Sequence, residues 1–248
     1  EMISEAFDER YISVVQGNRT VNTALLEQRW DLIFFTGSPS LGKKVMEAAS
    51  RHLTPVILEL GGKSPCIIDK SADIRTAAKR IAWGKTLNSG QTCIAPDYIL
   101  IHKEIQKEFV KAFAEEIKNL HGEDIQADRH YVRMVNDKAF ERVTGYFKDG
   151  NIIYGGRTDA ATRFIEPTLI ENVPLDSPLM TEEIFGPVFP IVTFEDNFKE
   201  RVIEFVTSRE KPLAFYYFGK ESDGWEIIRR TSSGGGCIND VIMHIANE

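Results

Sequence analysis

Cys93 ends a polar run, Asn88-Ser89-Gly90-Gln91-Thr92-Cys93, that follows a helical pattern. A core cysteine usually sits in an apolar run, so a thiol in a polar loop points to nucleophilic chemistry. The thiolate is the reactive form, and the site must lower its pKa or supply a base. The backbone N–H of the same residue can help to hold an oxyanion. A packed, inert thiol has the same local spacing, and both readings stay open on this segment alone. Cys66 lies between Pro65 and Ile67-Ile68 and reads as a buried strand residue. Cys237 follows Gly234-Gly235-Gly236 and also reads as structural.

Three other segments carry candidate groups. Glu59-Leu60-Gly61-Gly62-Lys63-Ser64 places a carboxylate at the end of an apolar strand, where burial makes such a group a usable base near neutral pH. A Glu paired with a Lys at a domain junction fits equally well. Phe35-Thr36-Gly37-Ser38-Pro39-Ser40-Leu41-Gly42 joins a strand to a helix, so the helix N-terminus can face a phosphate or a nicotinamide. It is not the G-x-G-x-x-G fingerprint, and an ordinary strand-to-helix turn has the same pattern. Glu182-Glu183-Ile184-Phe185-Gly186-Pro187 sets acids beside an aromatic and a turn. It suits either a ribose hydroxyl or a solvated acidic turn. The five histidines show no metal-ligand spacing, no Cys-x-x-Cys pair occurs, and no metal site is expected. His102 and His121 read as helix-flanking surface residues.

The elements around these residues follow from periodicity. Apolar runs at residues 11–17, 31–37 and 55–60 read as strands. Residues 21–28 and 39–52 read as helices between them, the pattern of a parallel sheet with crossover connections. From residue 63 onward, helices are expected at 72–87, 105–120, 132–147, 199–208 and 224–231. Strands are expected at 98–102, 152–154, 168–171, 188–194 and 213–218. The fold class is therefore α/β. The division expected is residues 1–61, part of a dinucleotide-binding domain, and residues 62–248, a catalytic domain. Of the 248 residues 42% are hydrophobic and 27% charged, enough for a sizeable core. The net charge of −7 gives no electrostatic grip on nucleic acid. Three unclustered cysteines point to a reducing, cytoplasmic compartment. No apolar run approaches membrane-spanning length, and residues 1–5 do not read as a signal peptide.

Taken in order, Phe35-Thr36-Gly37-Ser38, Glu59-Leu60-Gly61-Gly62-Lys63, Gly90-Gln91-Thr92-Cys93 and Glu182-Glu183-Ile184-Phe185-Gly186-Pro187 resemble the aldehyde dehydrogenase superfamily. Trp83-Gly84-Lys85, Ile94-Ala95-Pro96-Asp97-Tyr98 and Ser232-Ser233-Gly234-Gly235 are similar to its class-3 and fatty-aldehyde branch. A small apolar residue is usual where Gly236 stands. The resemblance implies the C-terminal part of a Rossmann-like doubly wound cofactor domain, followed by an α/β catalytic domain. It implies oxidation of a medium-chain, long-chain or aromatic aldehyde to a carboxylic acid with NAD or NADP, through a thiohemiacetal and a thioester. Cys93 resembles the nucleophile and Glu59 the base that activates the deacylating water. Gly37, Ser38 and Gly42 resemble the cofactor-facing turn. Glu183 resembles the ribose-binding carboxylate, with Phe185 beside the nicotinamide; in the class-3 branch Glu183 has also been considered a base. The resemblance also implies that an oxyanion-hole Asn, a Lys-bearing cofactor strand and a dimerising arm lie outside these 248 residues. The chain alone is then expected to lack turnover, and the parent to be a homodimer. The alternatives are an acylating, coenzyme A-dependent dehydrogenase and a non-catalytic fragment.

Overall fold

Along Pro65–Ile68, burial is complete at every position, so side chains must be covered on both faces. Cys66 and Ile68 enter one apolar cluster and Ile67 the other. Tyr98–His102 behaves alike: Ile99 and Ile101 go to the first cluster, Tyr98 and Leu100 to the second. This is the signature of parallel strands sandwiched between helices. In the computed structural model, which describes residues 1–246, the chain divides into two compact units, Glu1–Leu60 and Gly61–Glu248.

The first unit holds α1 (Met2–Ala6), α2 (Arg19–Leu26), β1 (Ile33–Gly37), α3 (Pro39–Ser50) and β2 (Val56–Leu60). β1 and β2 pair in parallel, Thr36 opposite Glu59 and Gly37 opposite Leu60. Ser38 caps α3 and Pro39 opens it, the position where a missing N–H costs nothing. Residues 11–17, expected as a strand, form none and are exposed. A strand needs a neighbour for its N–H and C=O groups, and β1 and β2 pair only with each other.

The second unit runs β3 (Pro65–Ile68), α4 (Ile74–Thr86), β4 (Tyr98–His102), α5 (Gln106–His121), α6 (Asp137–Gly145), β5 (Asn151–Tyr154), β6 (Thr158–Asp159), β7 (Phe164–Ile165), β8 (Thr168–Glu171), α7 (Pro178–Thr181), β9 (Val188–Phe194), α8 (Phe198–Thr207), β10 (Ala214–Phe218), α9 (Glu221–Arg230) and β11 (Gly235–Ile238). Seven strands form one sheet in the order β11-β10-β3-β4-β9-β8-β5. Every pair is parallel except β5 with β8. α4 and α5 supply the helical side of one cluster through Ala77, Ala78, Ile81, Phe109 and Phe113. α6, α8 and α9 cover the opposite face through Val143, Val202 and Ile227. Asp73 caps α4, its carboxylate accepting from Thr76 N–H at 2.8 Å.

His102 is not a surface residue. It closes β4, is buried, and its ring lies 5.6 Å from Phe198. His121, at the end of α5, is mostly covered, with Nδ1 2.6 Å from an Asp128 carboxylate oxygen. The expected helix at 132–147 is shorter, since Asn136 caps it and the chain before is irregular. Cys237 lies on β11, a strand whose glycines hid it from periodicity.

Candidate active site

α4 stops at Thr86, and Asn88, Ser89 and Gly90 follow with φ of 50°, 53° and 70°. Three successive left-handed residues are rare. The two that carry a Cβ cost roughly 1–3 kcal/mol each unless their surroundings hold them. Here they are held. Ser89 Oγ donates to the Val132 carbonyl. Asn88 Nδ2 donates to Gln91 O at 2.9 Å, and Gln91 Nε2 donates to Asn88 O at 3.0 Å. Gln91 also accepts from Val135 N–H at 2.9 Å, so it ties the loop to the segment before α6. At Gly90 a Cβ would stand 2.5 Å from the Gly186 carbonyl, so only glycine lets the two loops cross.

Out of this bend comes a tight turn, Thr92–Ala95, closed by Ala95 N–H donating to Thr92 O at 2.9 Å. Cys93 sits in the turn, half-buried and packed against the apolar cluster under α4. Tyr216, on β10, donates its hydroxyl to Ile94 O at 2.6 Å and pins the residue after the thiol.

The Glu182–Gly186 loop is fixed by charges reaching its backbone. Asp97 accepts from Ile184 N–H at 2.9 Å and pairs with Lys63. Lys63 also donates to Leu179 O at 2.9 Å and Glu182 O at 2.8 Å. Arg142 donates to Ile184 O at 2.9 Å and Glu183 O at 3.2 Å. The Glu183 carboxylate turns onto Gly61, where any Cβ would strike it, and accepts from Gly62 N–H. Phe185 has a φ of 46° and is 39% exposed, an apolar ring held outward by strained backbone.

Burial, reinforced by the nearby Asp97 charge, pushes Glu183 up from 4.5 to about 7. Burial also drags Lys85 down from 10.5 to about 7 against the pull of Asp97. Cys66 is fully buried, which drives its thiol upward. Burial raises Cys237 as well. Groups perturbed in this way concentrate at functional sites.

The Glu183 shift has a measurable consequence. Its folded-state pKa lies above the unfolded one, so its stabilising contribution is complete below 4.5 and is lost as pH rises through about 7. Glu183→Gln should therefore match the parent at pH 4 and exceed it by about 1–2 kcal/mol at pH 8, after allowance for solvent screening. Urea unfolding at the two pH values checks this, and equal gaps at both would remove the desolvated carboxylate from the account.

The remaining expected site residues lie in the first unit. Glu59 is half-buried on β2, one residue before its end, with Thr36 opposite. Gly37 ends β1, and Ser38 accepts from Leu41 N–H at 3.4 Å at the head of α3. Gly42 is buried, and a Cβ there would come within 2.8 Å of Leu60, so its absence lets α3 lie close on β2. Gly37, Ser38 and Glu59 thus gather at the C-terminal ends of two parallel strands, where such sheets take ligands. The second unit brings Cys93, Glu183 and Phe185 onto two loops that cross at Gly90. Lys63, Asp97, Gln91 and Arg142 hold those loops and were not singled out from the sequence. The available signal was a charge next to an apolar strand: Asp97 precedes Tyr98-Ile99-Leu100. No group of three or more His, Cys, Asp or Glu residues that could hold a metal ion occurs among the described residues. Nor is any described helix long and apolar enough to cross a membrane.

Comparison with known proteins agrees with this architecture. The dimeric NADP-preferring aldehyde dehydrogenase of Rattus norvegicus is 48% identical over 98% of this chain and 54% of its own length. The 4,4'-diaponeurosporen-aldehyde dehydrogenase of Staphylococcus aureus is 43% identical over 99% of this chain and 54% of its own. The substrate-bound structure of Staphylococcus aureus AldH superposes with a TM-score of 0.94 at 43% identity, over 99% of this chain and 54% of that one. A betaine aldehyde dehydrogenase of Staphylococcus aureus in complex with NAD+ gives a TM-score of 0.80 at 28% identity, over 90% of this chain and 48% of that one. The chain spans about half the length of the curated relatives it matches. The aldehyde dehydrogenase family model matches residues 1–248, and the chain belongs to that family.

Proposed function

We propose that this chain contributes to NAD- or NADP-dependent oxidation of an aldehyde to a carboxylic acid, with Cys93 as nucleophile. The carrying observation is Cys93 itself: a half-buried thiol on a turn raised by three left-handed residues, beside a loop that bears Glu183. The Cys93 thiolate attacks the carbonyl carbon, a C–S bond forms, and the carbonyl oxygen takes up the electron pair. The Cys93 backbone N–H holds part of that charge. A nicotinamide dinucleotide, when bound, would supply the hydride acceptor, and the carbon held on Cys93 would then be at the thioester level. Glu59 takes a proton from water, the water oxygen attacks the thioester carbon, the C–S bond breaks, and the carboxylate departs.

The first unit supports the dinucleotide. The head of α3, a 12-residue helix, presents N–H groups behind Gly37-Ser38, which suits an anionic or electron-poor ligand. Residues 1–61 are then the dinucleotide-binding part and residues 62–248 the catalytic part. Glu183 and Phe185 serve the nicotinamide ribose and ring, and the raised pKa of Glu183 also suits a proton carrier. The names of the relatives support both cofactors and a homodimer. Three unclustered cysteines support a reducing, cytoplasmic setting.

The test is product identity. Incubation of the full-length parent with a medium-chain or aromatic aldehyde and NAD or NADP should yield free acid without coenzyme A. Acyl-coenzyme A formed only in the presence of the thiol would make the enzyme acylating and take the hydrolytic role from Glu59.

A further inference from the structure

Lys85 is buried to 1% exposure near the end of α4, two residues before the Cys93 loop begins. Its ammonium donates to the Pro96 carbonyl at 2.8 Å and stands 4.2 Å from the centre of the Phe189 ring. Pro96 lies two residues before β4, so one side chain joins the loop's entry to its exit. The stem runs beneath the crossing of the two loops: a Cβ on Gly90 would meet Lys85 Cδ at 3.2 Å and Gly186 O at 2.5 Å. The charged and titratable groups that face the ammonium are Asp97, Lys63, Cys66 and Glu183. A methionine fills nearly the same volume with no charge to desolvate, so core stability alone does not call for a lysine here.

We propose that Lys85 is the positioning residue of the nucleophile loop, a clasp from α4 to Pro96 that sets the direction of the Cys93 thiol and backbone N–H. The proposal rests on the assignment of Cys93 as nucleophile, but its test needs no turnover. A loop held at both ends keeps one arrangement of polar groups around the sulfur, and a fixed polar surrounding favours the thiolate. A loop without the clasp loses that alignment, while the rest of the fold stays as it is.

Iodoacetamide labelling across pH, with mass spectrometry of each cysteine, reads three thiols in one molecule. Cys66 is fully buried and reports opening of the core; Cys237 is half-buried and reports general loosening. In Lys85→Met the half-labelling pH of Cys93 should rise by about one unit, a tenfold loss of labelling at pH 7. Cys237 should keep its profile and Cys66 its protection. An unchanged Cys93 profile overturns the clasp. If methionine opens the core, seen as labelling of Cys66, Lys85→Gln decides: the same upward shift with Cys66 protected supports the clasp, and no shift overturns it. Retained aldehyde oxidation in Cys93→Ser would instead remove the nucleophile assignment, a separate result.

Discussion

In the full-length parent, Cys93→Ser should lower aldehyde oxidation by at least about a thousandfold, because a serine hydroxyl is scarcely ionised at neutral pH and a triad-type neighbour is needed to activate it. Cys66→Ala and Cys237→Ser should each leave turnover within about fivefold of the unsubstituted enzyme, since neither thiol is the proposed nucleophile. The contrast rests on three environments. Cys66 is sealed in β3 between two helical layers, and burial drives its thiol upward. Cys237 lies on β11 with its sulfur 3.6 Å from His244 Nδ1, and burial raises it too. Cys93 alone stands on a turn between a strained bend and the head of β4. Reduced-cofactor formation in the three variants separates them. Activity surviving in Cys93→Ser but lost in Cys237→Ser would move the nucleophile to β11.

The elements that position Cys93 were legible because their burial is periodic. α4 repeats apolar residues at Ala77, Ala78, Ile81 and Ala82, and β4 and β9 are short apolar runs of strand length. What escaped has a physical pattern. β11 has three small residues in succession, so no side-chain alternation announces it. Tyr11-Ile12-Ser13-Val14-Val15 looks like a strand by composition, yet strand formation depends on a neighbour that local sequence cannot specify. His102 looked polar enough for the surface, but it ends a strand beneath Phe198. The same limit applied to the site. Motif order indicated Cys93 and Glu183, whereas the groups that hold them act across long chain separations. Asp97 reaches Ile184 from 87 residues away and Lys63 reaches Glu182 from 119. Such contacts leave no local spacing. Lys85, buried in the apolar stripe of α4 at the base of the loop, was not read as a positioning group from the sequence.

In the full-length parent, Glu59→Gln should slow steady-state turnover by about a hundred- to ten-thousandfold while leaving a first burst of reduced cofactor intact. The reason lies in the order of steps. Carbon–sulfur bond formation and hydride departure need a thiolate, whereas release of the acid needs a water that has lost its proton. An amide keeps the size and hydrogen-bonding capacity of the carboxylate but cannot take that proton. The placement of Glu59 suits a base for water, since it is half-buried, one residue from the end of β2, at the strand ends shared with Gly37. A stopped-flow trace should then show a burst of one equivalent per site followed by slow release. Loss of the burst would place Glu59 earlier, as the base for the Cys93 thiol. Turnover unchanged would pass the water to another carboxylate. Glu183, pushed up to about 7, would be the group to examine. In that case the deacylation rate should rise as Glu183 deprotonates, and Glu183→Gln should abolish the rising limb. A deacylation rate insensitive to Glu183 but lost with Glu59 confirms the division of labour, with Glu59 acting on water and Glu183 left to hold the cofactor's ribose.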